Sequence, residues 1–477
     1  MIQLQLKSKV SASNNVLIIT DKFLNTADFS FSKDVSDYIL SELKKEDKKS
    51  VSLNYLGRYI SVIVINSKNE VNTLKEKIRK HAATVADAIN ALKETELVIY
   101  NQTKLADLSL AAAEGAALAN YQFNHHITSS KKQINTLKSI TLISSKLKAN
   151  DLSQLSIIID ATAKAKDLVN EPVNNLNATD LANAFKSMGK QAGFSVKVLN
   201  KDQITELKMG GLLAVNAGSV DEPTFSIMEY KPKNAKNKNP YVLVGKGVVY
   251  DTGGLSLKPT PNSMDLMKCD MAGAAAVGCA IYAIAKAKLN IHVIGIVPAT
   301  DNRPGFNAFA PGDIIKMMDG TTVEMLNSDA EGRMILADAL HYAKRYKPEL
   351  TIDLATLTGA AAAAIGSFGS VGMGTAKPKQ KEKLFASGFN VHERIAEFPF
   401  WEEYDELIKS DIADQKNLGG PYGGAITAGK FLVKYTDYPY YHLDIAGPAF
   451  ITSKDSYRGK GATGYGVRLL FDFFNNL

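Results

Sequence analysis

Hydrophobic positions in the first 150 residues alternate between short apolar runs and longer runs with helical spacing. The short runs have the length of strands, and they are NVLIIT (15–20), YISVIVIN (59–66) and ELVIY (96–100). Between them, apolar residues recur every three or four positions in DVSDYILSELKKE (34–46) and EVNTLKEKIRKHAATVADAINALKE (70–94), as in amphipathic helices. This alternation predicts an α/β fold.

Beyond about position 150, several apolar runs have no polar face. SIIIDATAKAKDLVNEP (156–172) has helical spacing, and LKANDLSQL precedes it, so we place a boundary here between a domain over 1–155 and a domain over 156–477. The strand-like runs of the second domain are FSVKVL, TFSIMEY, YVLVGKGVVY, IHVIGIVPA, TVEML, ELTIDLATL and YYHLDIAG. Strands that are apolar on both faces predict a central mixed sheet covered by helices on each side.

The composition is that of a globular protein, since 45% of the 477 residues are hydrophobic and 22% are charged. No uninterrupted apolar stretch approaches the roughly 18–20 residues of a membrane span, and the opening MIQLQLKSKVSASNN lacks the pattern of a secretory signal. The formal charge of +7 is modest, and the densest basic run, KPKNAKNKN (231–239), reads as a solvated loop. We expect a soluble cytoplasmic protein, and the weak basic balance argues against nucleic-acid binding as its main role.

The cysteines, histidines and glycine-rich loops exclude several kinds of site. Cys269 and Cys279 fall within one predicted helix, whose rise of about 15 Å between them is too long for a disulfide. The adjacent His125 and His126 have no acid or cysteine at ligand spacing, which favours a surface or packing role. GAITAGK (424–430) is followed by phenylalanine where a P-loop needs Ser or Thr, and the sequence contains no H-E-x-x-H or G-x-S-x-G motif.

Acidic residues lie where predicted strands of the second domain end and helices begin. Asp251 ends the strand YVLVGKGVVYD, five residues after Lys246. Asp270 opens the Ala- and Gly-rich helix MKCDMAGAAAVGCAIYAIAKAK, and Asp329 and Glu331 follow the strand TVEML. Because ligands bind at strand ends in open α/β sheets, these three junctions predict a cluster of four carboxylates.

Two divalent cations would neutralise four carboxylates that otherwise repel one another. Oxygen ligands with few histidines suit Mg²⁺ or Mn²⁺ as readily as Zn²⁺, and two cations about 3.5–4 Å apart can polarise a carbonyl and activate a water together. Lys246 and Lys258 lie near these acids in the sequence. A lysine could ligate a metal only as the neutral amine, with its pKa lowered by burial and by the cations. A solvated lysine after a strand is the commoner case.

The segment NSDAEGR (327–333) allows two structures. In the first, Ser328 and Glu331 form an S-x-x-E capping box at the start of the next helix. In the second, Asp329 and Glu331 share a metal site. That requires extended backbone between them and a helix that begins near Gly332, because residues two apart face one side only in an extended segment. The segment alone leaves both structures open.

Five motifs in order along the chain resemble those of the leucyl aminopeptidase (cytosol aminopeptidase) family, peptidase family M17. They are VGKGVVYDTGGLSLKP (244–259), MKCDMAGAAAV (267–277), NSDAEGRMILADAL (327–340), DLATLTGA (353–360) and HLDIAGPAF (442–450). The resemblance spans roughly 165–477, whereas residues 1–150 match only in length and α/β character. It implies a smaller N-terminal α/β domain of macro-like type, with an oligomeric or regulatory role, and a larger C-terminal catalytic domain.

The resemblance also implies a dinuclear metalloenzyme that removes single residues from peptide N-termini. The implied ligands of its two cations (Mn²⁺ or Zn²⁺, with Mg²⁺ and Co²⁺ as alternatives) are Lys246, Asp251, Asp270, Asp329 and Glu331. Lys258 would stabilise the oxyanion. Arg333 would hold a bicarbonate ion as general base through two parallel hydrogen bonds. An apolar pocket that favours leucine or methionine would be lined by Met267, Thr356, Leu357 and Gly359.

The family further implies a homohexamer, built as a dimer of trimers, that acts in peptide catabolism. Two alternatives are a two-metal hydrolase of another bond, such as a phosphoester, and a DNA-binding regulator on the same scaffold. The lack of histidines in the site argues against the first. The complete set of ligands and the weak basic balance argue against the second.

Overall fold

The computed structural model describes residues 2–9, 15–21, 24, 29, 31–129 and 133–477. The chain divides into two compact units. Unit 1 comprises Met1–Ala163 and Ser453–Gly459, and unit 2 comprises Lys164–Thr452 and Lys460–Leu477. The division at 163 falls later than the boundary at 155 suggested by the sequence, and nothing in the sequence marked 453–459 as part of unit 1. Residues 10–14 of the opening segment, on which the expected lack of a signal partly rests, lie outside the described residues.

The described residues of unit 1 form a six-stranded sheet with helices. Its strands are β1 (Gln3–Lys7), β2 (Val16–Thr20), β3 (Ser50–Tyr55), β4 (Arg58–Val64), β5 (Glu96–Asn101) and β6 (Ser139–Ile143). Its helices are α1 (Lys33–Leu43), α2 (Val71–Ala91) and α3 (Asp107–Ala119), and α4 (Ala149–Asn170) runs on into unit 2. The strand order is β1-β6-β5-β2-β4-β3, with every neighbouring pair parallel except β3 with β4.

Unit 2 contains a nine-stranded sheet among its described residues. The strands of unit 2 are β7 (Ser195–Leu199), β8 (Thr224–Tyr230), β9 (Tyr241–Gly245), β10 (Gly247–Asp251), β11 (Val293–Asn302), β12 (Asp313–Lys316), β13 (Thr322–Met325), β14 (Leu350–Ala355), β15 (Ser370–Gly374), β16 (Ile395–Glu397), β17 (Gln415–Lys416) and β18 (Tyr440–Asp444). Three of these, β12, β13 and β17, form a separate sheet, so the predicted strand TVEML does not belong to the nine-stranded sheet. Two further strands, β19 (Phe450–Asp455) and β20 (Gly459–Ala462), pair with each other.

The helices of unit 2 cover both faces of this sheet. They are α5 (Ala178–Ala192), α6 (Lys201–Glu206), α7 (Gly210–Asn216), α8 (Ala272–Lys286), α9 (Gly332–Ala343), α10 (Gly359–Ile365), α11 (Pro378–Val391), α12 (Glu403–Glu406), α13 (Gly424–Val433) and α14 (Val467–Asn475). The main strand order is β16-β15-β18-β14-β9-β11-β8-β7, with β10 also paired to β11, and it mixes parallel and antiparallel pairs. The predicted α/β class with a mixed, helix-covered sheet is confirmed.

The central strands have no polar face because helices pack on both faces of the sheet. Val242 and Val244 of β9 belong to a core with α7, α9 and α13. Helix α8 packs on β9, β11 and β14, and it also contacts α5 and α14. A Cβ on Gly273 of α8 would lie 1.9 Å from the Leu354 carbonyl oxygen, so the glycine allows this helix to lie directly on the sheet. Met264–Lys286 is apolar and long enough to cross a membrane by composition and length, and 83% of its most apolar 18-residue window is buried, as in a core helix.

Four sequence predictions differ from the structure in detail. YVLVGKGVVY is not one strand, because β9 ends at Gly245 and β10 begins at Gly247; β9 pairs with both β14 and β11, whereas β10 pairs with β11 alone among the described strands. Asp270 does not open the α-helix but lies in a 3-10 segment, Met264–Met271, that precedes α8. The same segment contains Cys269, so the two cysteines lie in consecutive elements. LKANDLSQL does not precede the next helix, because α4 already begins at Ala149.

Candidate active site

Lys246 stands at the break between β9 and β10. Its backbone N–H donates to the Leu354 carbonyl at 3.0 Å, and its carbonyl accepts from the Ala274 N–H of α8 at 2.9 Å. The residue is 3% exposed. It lies against the start of α9, where a Cβ on Gly332 would be 2.4 Å from the lysine Cε. The two backbone hydrogen bonds fix the break between the strands, and the absence of a Cβ at Gly332 leaves room for the lysine side chain. The Lys246 ammonium is therefore buried at the edge of the sheet.

The loop after β10 orients Asp251 and brings Lys258 back to it. Gly253 and Gly254 have φ angles of +85° and +62°, which turn the chain sharply and favour glycine. The Gly253 N–H donates to Asp251 Oδ1 at 2.8 Å, and the Lys258 N–H donates to the Thr252 carbonyl at 2.9 Å. The Lys258 ammonium then lies 2.9 Å from Asp251 Oδ2 and also pairs with Asp329.

The segment NSDAEGR adopts a third structure that the sequence analysis did not consider. Helix α9 begins at Gly332, as the metal hypothesis requires, and within the described residues 327–333 no capping box forms. Instead, the Ser328 hydroxyl donates to the Gly253 carbonyl at 2.6 Å. The expected extended backbone was wrong, because Ala330 N–H bonds the Asn327 carbonyl at 3.1 Å in a turn and Glu331 has φ −76° and ψ −34°. The turn brings the two acids to one side.

Four carboxylates converge beside these elements. One oxygen each of Asp251, Asp329 and Glu331 lies within 4.8 Å of the other two. Asp270 joins them through Lys246, whose Nζ is 2.6 Å from Asp270 Oδ2 and 3.0 Å from Glu331 Oε1. Despite this contact, neither buried oxygen of Glu331 accepts a well-directed hydrogen bond from any described residue. Buried acceptors that the protein leaves unsatisfied fit a site for hard cations.

The charge balance also fits cations. Four carboxylates face two ammonium groups, so two negative charges are unbalanced when all are ionised. Burial and repulsion from Asp251 raise the pKa of Glu331 to about 8. Burial raises the pKa of Asp270 to about 6 against the attraction of Lys246, and burial also raises the pKa of Asp329. Protons therefore remain in the cluster near neutral pH, and metal binding would release them.

The two lysines are kept charged by these carboxylates. Burial alone would lower the pKa of Lys246, but the attraction of the surrounding acids, Asp270 first, outweighs burial and raises it above its ordinary value. The pKa of Lys258 is raised in the same way, with Asp251 the largest attraction. A lowered pKa was expected for Lys246 as a metal ligand. The neighbouring carboxylates instead raise the pKa of Lys246, so only cations bound among these carboxylates would lower it.

Arg333 lies in the first turn of α9 and is 5% exposed. Its Nη1 donates to the Asn417 carbonyl at 2.6 Å, whereas its buried Nε has no hydrogen-bond partner in the described part of the chain. Burial lowers the pKa of the guanidinium to about 10, which leaves it charged at neutral pH. A charged group with an unused N–H can bind a planar anion.

Thr356 is the predicted pocket residue that contacts the cluster. Its hydroxyl donates to Asp270 Oδ1 at 2.8 Å, and its carbonyl accepts from Lys246 Nζ at 3.0 Å. Met267 is half-buried in the 3-10 segment that contains Asp270.

Leu357 and Gly359 follow in the connection from β14 to α10. The Leu357 N–H donates to Asp444 Oδ1 at 3.2 Å, and the Thr358 hydroxyl donates to Asp444 Oδ2 at 2.7 Å. A Cβ on Gly359 would meet no atom within 4 Å, so this position borders open space. The buried Asp444 carboxylate thus fixes the loop predicted to face the substrate side chain.

Two buried asparagines in the site were missed by the sequence analysis. The Asn302 amide, at the end of β11, donates to Asp251 Oδ1 and to the Ser328 carbonyl, both at 2.9 Å. The Asn417 amide donates to the Asn327 carbonyl at 2.8 Å. The predicted site residues were chosen among charged residues, histidines and glycines at strand ends. Including amides would have found Asn302, which ends the apolar run IHVIGIVPATDN.

Comparison with known proteins places this site in a family. A family model described as "Cytosol aminopeptidase family, catalytic domain" matches residues 163–471. The chain belongs to the cytosol aminopeptidase family. The resemblance drawn from the five motifs is therefore confirmed, and the four acids, Lys246, Lys258 and Arg333 all lie inside the matched residues.

Curated relatives of the family carry the name "Probable cytosol aminopeptidase". The one from Chlorobaculum tepidum is 54% identical over 312 residues, which is 65% of this chain and 61% of that protein. The one from Geotalea uraniireducens is 39% identical over 456 residues, which is 93% of this chain and 91% of that protein. The match to the Chlorobaculum protein thus spans about three fifths of its length, whereas the Geotalea match is nearly complete.

Solved structures of similar fold include a mutant of tomato leucine aminopeptidase and the bottromycin maturation enzyme BotP in complex with Mn. The tomato protein has a TM-score of 0.88 and 28% identity, covering 100% of this chain and 97% of its own. BotP has a TM-score of 0.84 and 27% identity, covering 98% of this chain and 99% of its own. The similarity therefore extends over both units of the chain.

Proposed function

We propose that this protein is a metallo-aminopeptidase that releases N-terminal residues from peptides. The observation that carries the proposal is the convergence of four carboxylates, with both Glu331 oxygens buried and unsatisfied, in a chain of the cytosol aminopeptidase family. The ligands would be Lys246, Asp251, Asp270, Asp329 and Glu331, holding two cations per subunit, Mn²⁺ or Zn²⁺, with Mg²⁺ and Co²⁺ as alternatives.

When bound, the two cations would supply Lewis acidity towards the substrate's free α-amine and scissile carbonyl and would activate a water. An internal amide nitrogen is a much poorer ligand than an amine, so the reaction is confined to peptide N-termini. Asn302 and Gly253 contribute by donating to Asp251 Oδ1, which leaves the other oxygen of this carboxylate directed at Lys258.

Lys258 would stabilise negative charge on the scissile carbonyl oxygen. Its ammonium is held by Asp251 and Asp329, and its raised pKa keeps it protonated at neutral pH. Its side chain is 15% exposed, against 4% for Lys246. Lys258 can therefore reach a substrate that enters from solvent, whereas Lys246 is enclosed among the acids.

Arg333 would hold a bicarbonate ion as general base. The support is its buried, unpartnered Nε and a guanidinium that stays charged at neutral pH. Nη1 is already fixed by the Asn417 carbonyl, so this bond orients the group and leaves the Nε edge for an anion. Bicarbonate fits because it is planar and offers two oxygens to parallel N–H donors.

The first side chain of the substrate would contact Met267, Thr356, Leu357 and Gly359, with leucine and methionine preferred. The support is the position of Thr356 against Asp270 and the open space beside Gly359. An apolar pocket discriminates by only about 1–3 kcal/mol per methylene. We therefore expect a graded preference across apolar residues.

Hydrolysis of leucine-p-nitroanilide by the protein loaded with Mn²⁺ tests this function. The expected result is release of p-nitroaniline that a chelator abolishes, with no hydrolysis of the N-acetylated substrate. Asp329→Ala should abolish activity and lower metal content while the protein stays folded. The matched control, Asp411→Ala, removes an exposed acid of unit 2 and should leave both unchanged.

Three results would contradict the proposal. Equal hydrolysis of the N-acetylated substrate would exclude an aminopeptidase, and turnover of a phosphoester in its place would favour another two-metal hydrolase. DNA binding without any peptidase activity would favour a regulator. We further propose a cytoplasmic homohexamer, a dimer of trimers acting in peptide catabolism, for which the support is membership of the family.

A further inference from the structure

A cavity in unit 1 lies at the carboxyl ends of three neighbouring strands. β1, β6 and β5 are adjacent and parallel, and Ser8, Thr103 and Ser144–Lys146 follow their ends. The cavity encloses about 240 Å³. In open α/β sheets, ligands bind outside the carboxyl ends of the strands, so the position is that of a binding site. It is separate from the acid cluster, which belongs entirely to unit 2.

The lining of this cavity is chemically suited to an oxyanion. Hydroxyl, amide and ammonium groups share the walls with apolar groups, and no carboxylate occurs among the residues that line it, which are Ser8, Tyr100, Asn101, Thr103, Ala106, Ser109, Ile143, Ser144, Ser145 and Lys146. Asp107 begins the adjacent helix α3, but its carboxylate pairs with Lys75 of α2 at 3.2 Å. The cavity thus presents hydrogen-bond donors without a competing negative charge.

Ser109 is the residue that points most directly to a ligand. It is 1% exposed and lines the cavity, and its hydroxyl has no hydrogen-bond partner in the chain as described. The hydroxyl is therefore available to donate a hydrogen bond to a ligand that enters the cavity. Ser109 lies in the first turn of α3, a helix of 13 residues that no side chain caps. Two N–H groups of that turn already donate, Leu108 to the Leu105 carbonyl at 3.2 Å and Ser109 to the Ala106 carbonyl at 3.0 Å, so this end of the helix favours an anion through its dipole.

Lys146 supplies the positive charge. Its ammonium donates to the Lys104 carbonyl at 3.2 Å, and an ammonium has three N–H groups, so two donors are unused by the described residues. The loop that carries it is fixed by Ser144, whose hydroxyl accepts from the N–H groups of Lys146 and Leu147 at 3.1 and 3.2 Å. The lysine is therefore positioned before a ligand arrives.

We propose that unit 1 binds a phosphate group at this cavity, away from the peptidase site. A tetrahedral oxyanion offers enough acceptors for the Ser109 hydroxyl and the Lys146 ammonium together, at the positive end of the α3 dipole. The volume is below the about 300–1,000 Å³ of pockets for drug-sized ligands. The ligand is therefore inorganic phosphate or the phosphate of a small ester whose remainder extends towards solvent.

Calorimetric titration of the metal-loaded protein tests this site, with inorganic phosphate, ribose 5-phosphate and AMP as probes and adenosine as the probe without phosphate. Lys146→Met and Ser109→Ala should each weaken phosphate binding about tenfold or more, the effect of losing one hydrogen bond to a charged group. Lys148→Met, which removes an exposed lysine two positions away, should not. Hydrogen exchange should show protection over 100–109 and 143–147.

The outcomes separate the sources and the alternatives. Tighter binding of an ester than of inorganic phosphate identifies a phosphorylated metabolite, and equal binding identifies the ion. The proposal is overturned if no probe binds saturably at millimolar concentration, or if Lys148→Met weakens binding as much as Lys146→Met. It is also overturned if protection appears only around the acid cluster of unit 2, since phosphate would then be bound by the metals.

Discussion

Replacing Glu331 by glutamine should stabilise the metal-free protein at high pH. Burial and the nearby Asp251 raise the pKa of Glu331 from its ordinary 4.5 to about 8. Between these values the folded protein keeps a proton that the unfolded chain has lost, so the free energy of unfolding falls as the pH rises through this window. About 3.5 pKa units at about 1.4 kcal/mol each give about 5 kcal/mol lost by pH 8. This is an upper limit, because Asp270 titrates with Glu331.

The assay is urea denaturation of both proteins in chelator, between about pH 5 and about pH 9, with hydrogen exchange of α9 to report on unit 2. The variant should be more stable than the wild type by about 2–5 kcal/mol at the upper end of this range and should gain nothing at the lower end. Saturating Mn²⁺ should reverse the order, because the variant has lost a ligand.

The matched control is Glu222→Gln, which removes an exposed glutamate and should leave the dependence on pH unchanged. If Glu331→Gln is no more stable than the wild type in chelator at high pH, burial and the nearby charges do not disfavour the ionised Glu331 carboxylate in the folded state. The electrostatic account of the cluster would then be wrong.

Three further predictions concern the neighbours of the cluster. Gly332→Ala places a Cβ 2.4 Å from the Lys246 Cε, so it should lower the free energy of unfolding in urea by about 1–3 kcal/mol and should also lower the metal content. Gly359→Ala adds a Cβ where there is open space and should change neither quantity. Equal effects of the two substitutions would refute the packing argument. Lys258→Ala should lower kcat about 10²–10³-fold with metal stoichiometry kept, and parallel loss of metal would make Lys258 a ligand. Arg333→Met should lower kcat about 10²-fold or more and remove any response to added bicarbonate; a preserved response would exclude the arginine as its site.

The spacing of apolar residues predicted most of the helices and strands, because the burial of apolar side chains determines that spacing. Apolar runs such as NVLIIT and ELVIY became β2 and β5, and EVNTLKEKIRKHAATVADAINALKE became α2. The break between β9 and β10 was not predictable in this way. It depends on the Leu354 carbonyl and the Ala274 N–H, which bond Lys246 from distant parts of the chain.

The identity of the site residues was easier to predict than their geometry. Acids at strand ends pointed to Asp251, Asp329 and Glu331, whose carboxylates do lie together. The turn that brings the last two to one side is accompanied by hydrogen bonds between Ser328 and both Gly253 and Ser256, more than seventy residues earlier. Neither of the two structures that the local spacing left open contains this turn. Amides such as Asn302 were missed because they act through hydrogen bonds and carry no charge.

The most direct test of the central claim is anomalous diffraction at the manganese edge from crystals grown with Mn²⁺, with metal content measured on the same protein. Two peaks per chain are expected among the carboxylates of Asp251, Asp270, Asp329 and Glu331. An active protein that shows no peak there, or peaks bound by other residues, would contradict it.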